Sequence, residues 1–128
     1  LSGLLPAADV VILAVPLTGA TRGLVDAGFL AALPDGALLV NVARGPVVHT
    51  SALLGEAGRL RFALDVTDPE PLPAAHPLWR APGVLISPHV GGSSTAFLPR
   101  ARRLIRDQLQ RFAAGQPLSN VVAAADSR

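Results

Sequence analysis

The chain has 128 residues, half of them apolar, with a formal net charge of +2 and neither cysteine nor methionine. That length allows one compact domain with a real core, and the apolar share argues against disorder. Lack of cysteine excludes disulfides, thiolate catalysis and sulfur-ligated zinc, and three scattered histidines offer no metal set, so a reducing, cytoplasmic setting is expected.

No stretch at the start reads as a cleavable leader. The longest apolar run, Val10–Val15, is far shorter than the roughly 20 residues a bilayer span requires, so no membrane role is expected. The missing initiator methionine leads us to expect a piece cut from something longer. All 11 Lys/Arg-type residues are arginine. Four of them, Arg100, Arg102, Arg103 and Arg106, are read as the solvated face of a helix rather than a nucleic-acid patch, since no aromatics interleave.

The first apolar run is VVILAVP, Val10–Pro16. Next comes VDAGFLAALPDG, a helical piece with Asp26 near its start and Gly36 as its stop. ALLVNVA (Ala37–Ala43) is a second apolar run, followed by TSALLGEAGRL, a helix opening on a Thr-Ser cap. RFALDV (Arg61–Val66) and GVLISP (Gly83–Pro88) complete the set. Runs this continuously apolar predict strands buried on both faces, and their alternation with helices predicts βαβ units, a parallel sheet and an α/β fold. Between the last two runs, Thr67–Pro82 carries five prolines and reads as a long ordered loop of the kind often used for function. From Ser93 to about Ala114, Phe97, Leu98, Ala101, Leu104, Ile105, Leu109 and Phe112 fall at helical spacing, with Gly115 as the stop.

Ligands of open parallel sheets bind beyond the carboxyl ends of the strands. Those ends read VPLTGAT, NVARG, LDVTDPEP and SPHVGG, which brings Arg44, Asp65, Glu70 and His89 to one rim. A carboxylate beside an imidazole fixes its tautomer and favours its charged form, and a guanidinium grips a carboxylate bidentately. The combination suits proton transfer at a hydroxyl or carbonyl next to an acid group. Ser93 and Ser94 lack the G-x-S-x-G elbow of a nucleophile. His49 and His76, without such companions, read as structural.

VPLTGAT, LVNVARGPVV, ALDVTDPEPLPAAHPLW and ISPHVGG, in this order from about Leu1 to Val122, resemble the C-terminal part of the D-isomer-specific 2-hydroxyacid dehydrogenases. The resemblance implies the C-terminal half of a Rossmann-type parallel sheet with flanking helices and a long C-terminal helix. It implies NAD or NADP as cofactor and a 2-hydroxy or 2-keto acid as the small-molecule partner; a homodimer is expected separately, from an open sheet edge or a bared helix. By the same likeness Arg44 binds the substrate carboxylate, Glu70 pairs with the catalytic imidazole, and His89 gives and takes the proton. Asp65 corresponds to a contact with the nicotinamide carboxamide. Pro16, Thr21 and the backbone of Ala43 line the cofactor, and Gly91 and Gly92 let backbone approach it. No metal is implied. Thr67 stands where the family often has an aromatic residue.

No G-x-G-x-x-G occurs, so the phosphate-gripping half of the dinucleotide site is expected to lie elsewhere. Residues 1–92 are read as the second half of the dinucleotide domain, and 93–128 as the closing helix and tail. The 128 residues alone are expected to be inactive and to associate through an open sheet edge or the bared helix. A dinucleotide-sensing corepressor of the same fold is the alternative reading.

Overall fold

The structure, a computed structural model, describes residues 1 and 3–121; position 2 and the expected tail at 122–128 lie outside the described residues. The chain divides into two compact units, Leu1–Gly91 and Gly92–Arg128.

In the first unit, four parallel strands form one sheet in the order β1 (Val10–Leu13), β2 (Leu38–Asn41), β3 (Arg61–Leu64) and β4 (Val84–Ile86). Each of the apolar runs is a strand, and the parallel α/β sheet is the expected one. Chain order equals spatial order, and right-handed crossovers then carry every connection over the same side of the sheet. Accordingly one face is buried: Leu13, Leu39, Phe62 and Leu64 join Leu30, Leu33 and Leu53 from the connections in a single core.

The other face departs from expectation. Val10, Ile12 and Leu85 alternate with buried or partly buried positions and are more than half exposed. Continuous hydrophobicity correctly marked the strands, but within residues 1–91 all the covering elements lie on one side.

Helix α1 (Ala27–Ala31) opens on Asp26, whose carboxylate accepts the Phe29 N–H at 2.8 Å. Arg59 closes its far end, donating through Nη2 to Leu30 O and through Nη1 to Leu33 O, both at 2.8 Å. The same guanidinium pairs with Glu56 at 2.6 Å, tying α1 to the end of α2 (Thr50–Glu56). The expected Thr-Ser cap of α2 is not present. His49 holds the cap position without a side-chain bond, and Thr50, already inside the helix, donates its hydroxyl to Asp68 O at 2.6 Å.

The proline-rich loop is pinned rather than slack. Leu72 and Leu78 are buried, Pro77–Arg80 form a 3-10 turn, and Trp79 Nε1 donates to Pro73 O at 2.9 Å. His76 caps that turn, its Nδ1 accepting from Leu78 N, in keeping with a structural role.

In the second unit α3 spans Phe97–Ala113 and ends before Gly115, at φ 64°. It starts later than the expected Ser93. Pro99 has no N–H and sits in the first turn, where donors lack intrahelical partners in any case; Phe97 N bonds Ser94 O at 3.0 Å, and Arg100 N bonds Ala96 O at 3.3 Å. Its apolar stripe, including Ile105, Leu109 and Phe112, is exposed. Among the described residues no helix is long and apolar enough to cross a membrane.

Candidate active site

Leu13, Asn41, Leu64 and Ile86 stand side by side in register, so the residues that follow them leave the sheet along one edge. After β1 the chain turns through Pro16–Thr21. There Thr21 Oγ1 donates to Pro16 O at 2.6 Å and accepts from Thr18 N at 2.8 Å, closing the turn on itself.

After β2 the shaping residue is Asn41, one that sequence reasoning assigned no role. It is buried, its Oδ1 accepts Ala43 N at 3.0 Å, and its Nδ2 donates to Arg44 O at 3.1 Å. An amide folding the backbone over itself in this way makes a compact turn, and that turn presents Arg44 at the surface. A polar residue closing an apolar strand was the available signal. Ala43 has both backbone groups engaged, its carbonyl accepting from Arg44 Nη1 at 2.6 Å. Ala14, Val15, Pro16, Val42, Ala43 and Arg44 border a cleft of about 540 Å³.

After β3 comes Asp65, buried at the rim. Its Oδ1 accepts Ser87 Oγ at 2.7 Å and Val90 N at 2.8 Å, and its Oδ2 accepts Gly91 N at 2.8 Å. The Ser87 hydroxyl, more than any other group, holds this carboxyl below the usual range; burial opposes, and the Gly91 and Val90 amides with the nearby His89 add to the lowering. A carboxylate offers about four lone-pair positions, and these three donors occupy most of them. Gly91 was expected to admit a cofactor; here a β-carbon on it would meet Asp65 Oδ2 at 2.8 Å. Gly92 has open space on the corresponding side.

After β4 the chain reaches His89, whose backbone is left-handed at φ 55°. Such a conformation is uncommon outside glycine and persists where surroundings over-determine it. The ring nitrogen Nδ1 lies 2.5 Å from Glu70 Oε1. A carboxylate only accepts, so Nδ1 carries the proton of this bond and Nε2 is left outside it. Glu70 is held below the usual carboxylate range, first by the hydrogen bond from His89, against the opposing effect of burial, then by the Thr67 N–H and the charges of His89 and Arg44. Both partners remain partly open, with side chains 46% and 41% exposed. Asp65, Glu70, Leu72, Trp79, Ser87 and His89 border a second cleft of about 350 Å³.

The structure thus joins Glu70 to His89 directly and Asp65 to the backbone around His89. Arg44 forms no hydrogen bond with either Glu70 or His89 among the described residues; its coulombic effect on Glu70 is their link. Among the described residues no group of three or more His, Asp or Glu side chains has the arrangement of a metal site.

The profile of the D-isomer specific 2-hydroxyacid dehydrogenase NAD binding domain matches residues 1–91. The chain belongs to this family. It is 32% identical to the chloroplastic/mitochondrial formate dehydrogenase of Arabidopsis thaliana, over 95% of this chain and 33% of that protein. To glyoxylate/hydroxypyruvate reductase B of Citrobacter koseri it is 41% identical, over 73% of this chain and 30% of that one. A crystal structure of a D-isomer specific 2-hydroxyacid dehydrogenase from Xanthobacter autotrophicus Py2, in complex with NADPH and MES, superposes with a TM-score of 0.84 at 42% identity, covering 95% of this chain and 51% of that one. The chain therefore spans about a third of these curated relatives. Both are named as enzymes, and the corepressor alternative gains no support from them.

Proposed function

We propose that the protein carrying this 2-hydroxyacid dehydrogenase domain transfers a hydride between NAD or NADP and a D-2-hydroxy acid or its 2-keto acid. The observation that carries the reading is the Glu70–His89 pair, closed at 2.5 Å on the carboxyl edge of a parallel sheet. With Nδ1 held by Glu70, His89 is oriented as acid and base, giving a proton to the substrate oxygen during reduction and taking it back during oxidation. Arg44 grips the substrate carboxylate and offsets charge developing on the carbonyl oxygen.

The residues at the β1 and β2 ends fit a dinucleotide. The cleft of about 540 Å³ opens at the edge where open α/β sheets bind nucleotides, and Ala14, Val15 and Pro16 give it an aliphatic wall for a flat ring. Pro16, Thr21 and Ala43 would line the nicotinamide end there, with His89 and Gly91 along the rim. When bound, the dinucleotide supplies the hydride. A homodimer in a cytoplasmic setting belongs to the same proposal.

The test is oxidation of NADH and NADPH by the whole protein with a panel of small 2-keto acids, alongside calorimetric titration of each dinucleotide. Turnover with at least one acid is the expected result. Tight dinucleotide binding without turnover of any acid would overturn the enzyme reading in favour of a sensor.

A further inference from the structure

We infer that Asp65 is a positioning residue for His89: its buried carboxylate ties down the chain on both sides of the histidine and so keeps the imidazole on Glu70. The inference rests on the proposed acid–base role of His89.

Asp65 directly follows Leu64, the last residue of β3, and so stands on the rigid sheet. Ser87 N, donating to Leu64 O at 2.9 Å, is the last ladder bond before the chain leaves β4. Beyond that point the segment curls over Asp65. Ser87 Oγ binds the carboxylate from before the histidine, and the amides of Val90 and Gly91 bind it from after. A left-handed residue lets successive N–H groups converge on one anion; here that residue is His89, at φ 55°, and the anion is the chain's own carboxylate. Gly91 completes the fit, since a β-carbon there would lie 2.8 Å from Oδ2. The carboxylate compensates a backbone conformation that a histidine does not adopt readily, and that conformation sets where the ring stands. This role differs from a grip on the nicotinamide amide, and the two give different kinetics.

The experiment compares wild type, Asp65→Asn, Ser87→Ala and the double variant in the whole protein. Asn keeps the size of Asp but sets an NH2 group against amide donors. Asp65→Asn is expected to lower kcat about 30-fold, as when backbone donors lose a charged acceptor, with the KM of the keto acid and the Kd of NADH within about twofold. Ser87→Ala, which removes one donor of three, lowers kcat about threefold, and the double variant is no worse than Asp65→Asn because both act through one network. Hydrogen exchange of the peptide over residues 87–91, without cofactor, rises in Asp65→Asn.

A rise of tenfold or more in NADH Kd, with kcat at saturating cofactor unchanged, would overturn the inference and leave the dehydrogenase reading standing. So would unchanged exchange over 87–91. If the wild type turns over no 2-keto acid, the dehydrogenase reading falls instead. Exchange then decides alone whether Asp65 braces the loop.

Discussion

Gly45 lies against the backbone of Thr67 so closely that a β-carbon on the glycine would stand 1.8 Å from the Thr67 carbonyl oxygen. Gly45 is buried and directly follows Arg44, while Thr67 donates its N–H to Glu70 at 3.4 Å. The contact therefore sets how near the arm carrying Arg44 comes to the arm carrying Glu70. Thr50, bonded to Asp68 O at 2.6 Å, fastens the same two segments a second time.

Gly45→Ala has no accommodation short of backbone movement. It should cost at least the roughly 1–3 kcal/mol typical of overpacking and, in whatever folds, raise the KM for the keto acid as the arms separate. Denaturant midpoints and steady-state kinetics of the whole protein test this; a wild-type midpoint with a wild-type KM would remove the argument.

His89→Gln should depress kcat by about 10²- to 10⁴-fold, the usual contribution of a positioned acid–base group. Glu70→Gln keeps the shape of the side chain but loses its charge, and should cost less while acting mainly on kcat. Equal kcat in wild type and His89→Gln would dismiss the imidazole from the chemistry.

Arg44→Lys keeps a cation but loses the planar fork. We expect the KM of the 2-keto acid to rise about tenfold, in line with one lost charge-assisted bond, while NADH affinity changes little. Recovery of KM to the wild-type value in this variant would refute bidentate binding.

The acid limb of stability has a definite sign. The carboxyl of Asp65 is lowered in the folded state by Ser87 and by the amides of Gly91 and Val90. A lowered folded value contributes stability that is present above the ordinary aspartate pKa, about 3.9, and is lost as pH falls through the folded value. Glu70, lowered chiefly by His89, acts in the same direction but is partly solvated, so its share is smaller. Urea unfolding from pH 6 downward should show wild type losing stability below about pH 4. Asp65→Asn should start lower and fall less steeply. Parallel curves for the two proteins would contradict this account of the carboxyl.

In the core, Phe62 is 1% exposed at the centre of the buried face. Phe62→Ala should cost about 3–5 kcal/mol, as large-to-small changes in such positions do. A change of under 1 kcal/mol by urea titration would show that the site collapses without loss.

What the sequence determined by itself was local or directional. Continuous aliphatic runs such as VVIL and ALLV name the strands, because such segments have no polar face to show to water. Alternation with helical pieces makes the sheet parallel, and a parallel sheet sends every strand's carboxyl end to one edge; that alone gathers Arg44, Asp65, Glu70 and His89 there. The stop of α3 was also legible, since Gly115 supplies the left-handed residue that ends it, whereas helical periodicity reaching back to Ser93 overran its start.

Tertiary structure decided the rest. Hydrophobicity says that a strand face is apolar but not whether another element covers it, so the exposure of Val10, Ile12 and Leu85 depends on the one-sided placement of the connections. Thr50 looked like a helix cap because hydroxyls usually cap locally; the Asp68 carbonyl it binds instead is brought within reach by the packing of another loop. The partners of Asp65 are supplied by β4 and the turn beyond it, and only the register of β3 against β4 brings that turn over the carboxylate. Composition and spacing encode which conformation a segment prefers. Which groups stand within 3 Å of one another across elements is set by register and packing.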